Sequence, residues 1–518
     1  MSHHRIMLWD YIVVGGGLAG SVVSNRLLGL NTSLNILVID AGPNANDRQD
    51  IVWPNGTGGA DLRWSVPTVP QVNLNNRTLD IFLGTGLGGG TLINAGNWVR
   101  GDKADYDEWG ATVGDDRWSY AGQLPFMRQS EAFQHPDRNP EQHGYTGNVF
   151  AQTVTSTNRP FHLREYVLQS WNEIGVPTLP GLDSNAGNPL GVGDFSENKH
   201  NGRREIASVI YPLDGITALA DILVEKVLVS TDGTIQVSGV QLANGTQIFS
   251  RRVILSAGAL RTPQILMLSG IGPRDELERH GIEVKVESPE VGKNFMEHSS
   301  STTSWAIRNP GEGWIPGSEN PLFDQEQYGW GNPQDFMVST SVDASGLAAA
   351  IEADEGVAPD PSTHRLLQQD RTLLEHVFQY FSYGGGASGA TVSFMSILFL
   401  PTSRQQAQRL QYRFAGSNTT VLGREILGGE VISEGQDALT EGITDDALNN
   451  RLRASVRSAF HPSGTASMGK VVDNDLKVKG LDNLFVVGTS VFPVPIAAHL
   501  QVATYALAEQ AATIISRA

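Results

Sequence analysis

Cysteine is absent from the 518 residues of this chain, which excludes disulfide bonds, thiolate metal ligands and cysteine nucleophiles. Basic residues are scarce too: 37 lysines and arginines face 55 acidic residues, giving a formal net charge of −18. That surplus of negative charge argues against nucleic acid and anionic membranes as partners. No apolar run approaches the roughly 18 residues of a transmembrane helix. We therefore expect a soluble protein with a neutral or cationic substrate.

Glycine, by contrast, is abundant, with 57 residues against an average share of about 7%. Glycine runs such as 84–90 and 384–386 suggest tight turns or backbone that approaches a ligand closely. The chain is too long for one ordinary core, so two or more domains are expected. The sequence does not decide whether the protein is cytoplasmic or secreted. Residues 1–6 lack the apolar core of a secretory signal, and the alternative is a signal that lies outside this sequence.

The N-terminal segment has the pattern of a nucleotide-binding turn. Its apolar and small residues predict a strand, a helix and a second strand over 11–14, 20–28 and 34–39. In Gly15-x-Gly17-x-x-Gly20, the first glycine makes the turn, the second admits a pyrophosphate and the third lets helix and strand pack closely. Asp40 closes the second strand, where an acid accepts hydrogen bonds from a ribose. The pattern predicts a dinucleotide site without separating FAD from NAD.

Further motifs follow along the chain in a fixed order. They are GTGLGGGTLINAGNW at 84–98, GALRTPQILMLSGIG at 258–272, VGKNFMEH at 291–298, HPSGT at 461–465, NLFVVGTSVFP at 483–493 and the His at 499. With the N-terminal turn, these motifs resemble the glucose–methanol–choline (GMC) family of FAD-dependent oxidoreductases. The resemblance covers about 1–300 and 455–518. Its largest gap is the stretch 300–450, which does not identify a substrate.

The resemblance implies an α/β fold, α+β overall, with a doubly wound FAD-binding domain assembled from discontinuous segments. Beside it we expect a substrate domain with an antiparallel sheet backed by helices. We assign 1–155, 200–300 and 455–518 to the first domain, and 156–199 with 301–454 to the second. Periodicity predicts helical structure over 105–131 and a strong amphipathic helix over 498–517, with strands at 222–229, 237–242, 253–257, 377–383 and 392–400.

The resemblance also implies where FAD is held. Side chains at Gly88 and Gly89 would collide with the cofactor, and Asn94 is placed to hydrogen-bond it. Beyond the N-terminal turn, the expected cofactor contacts are Gly88, Gly89, Thr91, Asn94, Val227 and Gly488. Some relatives attach FAD through a His just before the motif's Asn. Ile93 occupies that position, so we predict noncovalent FAD.

Two C-terminal histidines are the candidate catalytic residues. Oxidation of an alcohol by flavin removes a hydroxyl proton, a task that suits a neutral imidazole, while a second imidazole can hold the alcohol oxygen. By the resemblance, His461 is the base and His499 its partner. From the residues alone, a turn or core role for His461 and a helix-capping role for His499 remain open. The other ten of the 12 histidines show no metal-ligand spacing, so we assign them no role and predict no metal site.

The predicted function is FAD-dependent oxidation of a small alcohol, with an aryl, alkyl or sugar-like hydroxyl, followed by reoxidation by oxygen or another acceptor. The alternatives are a hydroxynitrile lyase on the same flavin scaffold, a noncatalytic flavin-binding protein and an NAD-dependent dehydrogenase. Four aromatic residues suggest an aryl pocket. We favour the other interpretation, in which they are divided between the core and the surface of one strand. These residues are Phe378, Tyr380, Phe381 and Tyr383.

Overall fold

The computed structural model describes residues 8–53, 59–137, 139–231, 233–382, 387–399 and 404–518. Numbered along the chain, the strands are β1 (Trp9–Val14), β2 (Ile36–Ile39), β3 (Arg63–Pro67), β4 (Asp80–Gly84), β5 (Glu131–Gln134), β6 (Val149–Thr153), β7 (Gly191–Asp194), β8 (Ser196–Glu197), β9 (Lys199–His200), β10 (Arg203–Arg204), β11 (Thr217–Leu219), β12 (Val224–Ser230), β13 (Gln236–Leu242), β14 (Gln247–Leu255), β15 (Ile271–Gly272), β16 (Val286–Glu287), β17 (Ser299–Ile307), β18 (Phe336–Thr340), β19 (Leu374–Gln379), β20 (Thr391–Leu398), β21 (Leu427–Glu430), β22 (Arg457–Ser458) and β23 (Leu484–Val486). The α-helices are α1 (Leu18–Leu30), α2 (Gln49–Val52), α3 (Lys103–Val113), α4 (Tyr120–Ser130), α5 (Arg164–Glu173), α6 (Ala207–Ile210), α7 (Gly258–Leu268), α8 (Arg274–Arg279), α9 (Ala344–Glu355), α10 (Arg404–Gln411), α11 (Asp445–Ser455) and α12 (Gln501–Ile515).

The first large sheet has the strand order β11-β2-β1-β14-β13-β12, and β23 pairs with β14. Strands β11, β2, β1, β14 and β23 run parallel, whereas β12 and β13 form an antiparallel extension. Strand β2 is buried at all four positions, in keeping with its uninterrupted apolar sequence. The predicted strand–helix–strand unit at the N-terminus is confirmed as β1, α1 and β2.

The C-terminal helix lies in the interior of the molecule. Twelve residues of α12 are buried, and the helix packs against α1 and α4. The predicted amphipathic character is therefore wrong, because neighbouring elements cover this helix on both its apolar and its polar positions. Its buried Glu509 is neutralised by Arg26, whose Nε lies 2.7 Å from the carboxylate, and it accepts a hydrogen bond from the Tyr211 hydroxyl.

The second large sheet is antiparallel, with the order β21-β17-β20-β19-β18-β7 and β22 added to β17. Helix α5 packs on this sheet through Trp171, whose ring contacts Phe394 and Phe414. Strand β19 starts and ends earlier than the predicted strand 377–383. Phe378 and Tyr380 are buried in the core of this half. Tyr383 lies outside the described residues, as do the glycines 384–386.

Other predicted elements differ in their limits. The helical pattern over 105–131 divides into α3 and α4, because Gly114 ends α3 in the left-handed conformation, with φ of 68°, and the Ser119 side chain caps α4. The predicted domain boundaries stay a prediction, and β22 lies in a segment that we assigned to the first domain. Within the described part of the chain, no helix combines the length and the apolarity needed to cross a bilayer.

Candidate active site

A large cavity of about 1230 Å³ adjoins both large sheets. This volume exceeds the roughly 300–1,000 Å³ typical of small-ligand pockets, so it can hold a dinucleotide together with a substrate. Most of the predicted site residues line this cavity. They are Gly15, Gly17, Asp40, Gly89, Thr91, Asn94, Gly488, His461 and His499.

The N-terminal glycine turn forms one wall of the cavity. Gly15 has a φ of 96°, and a Cβ there would lie 2.5 Å from the Ser256 carbonyl oxygen. Gly20 does not line the cavity: a Cβ on it would lie 1.9 Å from the Gly15 carbonyl oxygen, so the third glycine serves helix–strand packing. Gly17 lines the cavity where α1 begins, and no side chain caps this helix. The first backbone N–H groups of α1 therefore have no side-chain partner.

Asp40 lies at the end of β2 with 8% of its surface exposed. Its two carboxylate oxygens accept the backbone N–H groups of Gly16 at 2.8 Å and of Gly42 at 2.9 Å. Burial raises the pKa of Asp40, and the backbone hydrogen bonds oppose that shift. The carboxylate thus braces the glycine turn, and its remaining lone pairs are available to a ribose hydroxyl.

The glycine segment 84–90 packs directly against the N-terminal glycine turn. The N–H of Gly88 donates to the Gly16 carbonyl at 2.8 Å, and a Cβ on Gly89 would lie 2.8 Å from the Gly17 Cα. Gly88 itself does not line the cavity, since a Cβ there would meet the Ile206 side chain at 2.6 Å. Its conformation, with φ of 100°, therefore serves packing within the protein.

Thr91 and Asn94 are held in place by hydrogen bonds from Arg204, a buried cation that received no role in the sequence analysis. Arg204 donates to the Asn94 carbonyl at 2.6 Å, to its side-chain oxygen at 2.9 Å and to the Thr91 carbonyl at 3.2 Å. Burial lowers the pKa of Arg204 to about 10. The Thr91 hydroxyl donates to the Gly88 carbonyl at 2.6 Å and accepts the N–H of Ala207 at 3.0 Å.

Val227 is placed away from the cavity. It is buried in β12, and its N–H donates to the Ser269 hydroxyl at 2.9 Å. Val224, three residues earlier on the same strand, lines the cavity instead. The pairing of β12 with β13 contains register shifts on either side of Val227, which sequence periodicity does not reveal.

The two candidate catalytic histidines face each other on another part of the cavity wall. The ring centroids of His461 and His499 are 4.9 Å apart and the ring planes are nearly perpendicular, at 82°. His461 lies three residues after β22, and His499 lies two residues before the start of α12. The fold thus brings together residues from the second sheet's edge and the core helix.

His499 is held by a buried carboxylate. Its Nε2 lies 2.8 Å from Oε1 of Glu375 and 3.2 Å from the side-chain nitrogen of Asn97. Glu375 is fully buried in β19, and no described residue hydrogen-bonds its other oxygen. Because a carboxylate only accepts, this contact directs the Nε2 proton of His499 toward Glu375.

His461 has a different environment, made of a backbone anchor and a third imidazole. Its backbone N–H donates to Oε1 of Glu297 at 2.8 Å, and its Nδ1 lies 3.0 Å from Nδ1 of His298. Burial lowers the pKa of His461 well below its ordinary value, and the nearby His499 and His298 lower it further. His461 is therefore a neutral imidazole at pH 7.

Five residues at this site received no role in the sequence analysis: Asn97, Arg204, Glu297, His298 and Glu375. His298 ends the motif VGKNFMEH, which was the one available signal for it. Glu375 lies in the stretch 300–450 that matches no motif. A buried carboxylate inside an apolar strand was the signal there, because such a group needs a partner.

The cavity walls fit an FAD. Both α1 and α12 begin at the cavity without a side-chain cap, so their backbone N–H groups favour negative charge there. The N-terminus of α1 beside Gly17 suits a diphosphate, and that of α12 suits an electron-rich flavin ring. Ile93 also lines the cavity and offers no nucleophile.

Comparison with known proteins identifies the family. The GMC oxidoreductase models match residues 9–300 and 405–508. The GMC-type oxidoreductase acuG of Aspergillus aculeatus is 33% identical, with 98% of this chain and 99% of that protein covered. The pyridoxine 4-oxidase of Microbacterium luteolum is 28% identical with the same coverage. The chain therefore belongs to the GMC family, and it is an FAD-dependent oxidoreductase that acts on CH–OH groups.

Solved structures show the same fold. A formate oxidase variant from Aspergillus oryzae superposes with a TM-score of 0.84 at 22% identity, covering 99% of this chain and 98% of that one. A fungal aryl-alcohol oxidase superposes with a TM-score of 0.80 at 23% identity, covering 98% and 99%. At this level of identity, the likeness confirms the predicted α/β fold and leaves the substrate open.

Proposed function

We propose that this protein oxidises a small alcohol to a carbonyl compound, with His461 as the base and His499 as the residue that holds the alcohol oxygen. The observation that carries the proposal is the pair of imidazoles, 4.9 Å apart, in a cavity that also contains the glycine cradle. Bound FAD supplies the hydride acceptor. The chain supplies the proton acceptor and the oxygen anchor.

The environment of His461 suits a base. Its Nδ1 contacts His298, and no described residue hydrogen-bonds its Nε2, so Nε2 remains for a ligand in the cavity. A neutral imidazole in this position accepts the hydroxyl proton of a bound alcohol. His499 is held at Nε2 by the Glu375 carboxylate, and in its doubly protonated form its Nδ1 donates to the same oxygen as negative charge develops on it.

We propose that FAD is held noncovalently, through the backbone of the glycine segments and through Asp40, Thr91 and Asn94. Ile93, next to Asn94, has a hydrocarbon side chain that forms no bond to flavin. Trichloroacetic acid precipitation tests this: free FAD in the supernatant supports the proposal, and a yellow pellet contradicts it.

The substrate that the cavity suits best is an aryl or alkyl alcohol. Aromatic side chains are among the residues that line the cavity, namely Trp64, Phe82, Phe381 and Phe460. Phe82 and Phe460 stack with ring centroids 5.1 Å apart, and Phe460 directly precedes His461. Flat apolar rings of this kind bind an apolar substrate body. Sugar-like substrates and the choice between oxygen and another acceptor are resolved by the experiment below.

The test is anaerobic mixing of the purified holoprotein with aryl, alkyl and sugar alcohols, followed through the flavin absorption band. We expect bleaching by at least one alcohol and recovery of the band on adding oxygen or an artificial acceptor. His461→Ala should retain FAD and bleach about 10²- to 10⁴-fold more slowly. Unchanged bleaching in that variant excludes His461 as the base. Cyanide release from a cyanohydrin without bleaching identifies the lyase alternative.

A further inference from the structure

A third imidazole lies behind the candidate base. His298, the residue before β17, is 3% exposed and does not line the cavity. Its Nδ1 is 3.0 Å from Nδ1 of His461, and the two ring planes are inclined at 84°. The ring of Phe399 packs edge-on against His298, with centroids 4.8 Å apart. The Nδ1–Nδ1 contact is therefore part of a packed and enclosed arrangement.

A hydrogen bond between two imidazole nitrogens needs one proton, so one ring donates and the other accepts. Both rings are neutral at pH 7: burial lowers the pKa of His298 to about 3, with a further contribution from His499, and burial likewise lowers that of His461. Each neutral ring carries a single proton. The direction of the shared bond therefore fixes the tautomer of both histidines.

The two directions have opposite chemical consequences for the cavity. If His298 donates, His461 carries its own proton on Nε2, and that atom can only donate to a ligand. If His461 donates, its Nε2 has a free lone pair and can accept a proton. Only the second arrangement makes His461 a base at Nε2.

We propose that His298 is a positioning residue that accepts the Nδ1–H of His461 and so keeps the lone pair of His461 Nε2 directed into the cavity. This inference rests on the proposed function, in which His461 takes the hydroxyl proton. The same acceptor role persists after proton transfer, because the His461 imidazolium still carries a proton on Nδ1. No side chain then has to reorient during the reaction, and the developing cation keeps a hydrogen-bond acceptor.

The expected decrease in rate follows from the loss of the hydrogen-bond acceptor that His298 provides. A hydrogen bond to a charged group contributes more than one between neutral groups, and its loss corresponds to a rate decrease of about 10- to 100-fold. We expect His298→Leu, which fills similar space without an acceptor, to slow flavin reduction by that factor while FAD content and substrate affinity stay unchanged. His298→Asn, which retains an acceptor oxygen, should recover part of the rate.

The matched control is His376→Leu. His376 is a fully buried histidine that does not line the cavity and bonds to the hydroxyls of Thr340 and Ser396, at 3.0 and 2.8 Å. The same substitution there removes a buried imidazole without touching His461. We expect its holoprotein to be reduced at the rate of the unsubstituted protein, with thermal unfolding midpoints recorded for all variants.

The direct measurement is ¹⁵N NMR of the histidine-labelled holoprotein, with the His461 signals assigned from the His461→Ala variant. We expect a protonated Nδ1 and an unprotonated Nε2 for His461, and a mixture of tautomers in His298→Leu. A protonated Nε2 in the unsubstituted protein overturns the proposal, as does reduction of His298→Leu at the normal rate. The NMR spectrum of the unsubstituted protein tests the proposed tautomer of His461 even if His298→Leu does not fold. If no alcohol bleaches the flavin, the proposed function fails separately.

Discussion

At the scale of single residues, the two facing histidines differ in what lies behind them. His461 is backed by a neutral imidazole, and His499 by the carboxylate of Glu375. A neutral partner leaves His461 uncharged and able to accept a proton. The Glu375 carboxylate accepts the Nε2 proton of His499, so the proposed donation from His499 to a developing alkoxide uses a second proton, on Nδ1. The roles proposed for the two rings thus follow from their partners.

The carboxylate behind His499 gives a prediction for one side chain. In Glu375→Gln the charge is removed while size and hydrogen-bonding capacity are nearly kept. We expect flavin reduction by the alcohol to slow by about 10- to 100-fold, because a charge-assisted hydrogen bond becomes a neutral one. Stopped-flow absorbance measures this rate. Glu375→Asp keeps the charge at a longer distance, so its rate of flavin reduction should lie between those of Glu375→Gln and the unsubstituted protein. A rate in Glu375→Gln equal to that of the unsubstituted protein would exclude the electrostatic role.

At the scale of elements, the start of α1 combines a close contact with an open helix end. Gly20 packs against the Gly15 carbonyl so tightly that no side chain fits, whereas Gly29, near the end of the same helix, has open space around it. The helix therefore has one glycine that packing requires and one that it does not.

These two glycines form a matched pair of substitutions. Gly20→Ala should lower the thermal unfolding midpoint and weaken FAD binding, because its methyl group would lie 1.9 Å from the Gly15 carbonyl oxygen. Gly29→Ala should leave FAD binding unchanged and stabilise the fold by about 0.5–1 kcal/mol, since alanine is the better helix former. Differential scanning fluorimetry and FAD titration measure both. Equal behaviour of the two variants would contradict the packing role of Gly20.

At the scale of the whole molecule, buried acids couple stability to pH. Glu205 is 8% exposed, and burial raises its pKa from 4.5 to about 7. Between these values the folded protein holds a proton that the unfolded chain has released. The resulting stabilisation is fully present below pH 4.5 and is lost as the pH rises through 7. His298, His376 and His461 act in the opposite sense below pH 6.5, because burial lowers their pKa values.

Comparison of a Glu205 variant with the unsubstituted protein separates the contribution of Glu205 to the pH dependence of stability from that of the histidines. Glu205→Gln keeps an oxygen to accept the N–H of Phe150 but does not titrate. Relative to the unsubstituted protein, we expect the variant to gain roughly 3 kcal/mol of unfolding free energy between pH 4.5 and pH 7.5. Urea unfolding at the two pH values provides the comparison. The same stability difference at both would mean that Glu205 titrates normally in the folded protein.

The amino-acid sequence by itself determined the nucleotide-binding half. The N-terminal strand–helix–strand unit, the glycine segments and the class of enzyme were predictable because they depend on local backbone conformation and on motifs of fixed spacing. The buried character of α12 was not predictable from its own residues. A helix becomes a core helix only when other elements, here α1 and α4, cover it from several sides.

Only the tertiary structure decided how the candidate active site is assembled. It brings His298, Glu375, His461 and His499 together from four separate places in the chain. The partners of each histidine decide which ring is neutral and which is paired with a charge, and those partners lie more than 100 residues away along the chain. Periodicity and motif spacing carry no information on such contacts, because burial and hydrogen bonding are properties of the folded neighbourhood.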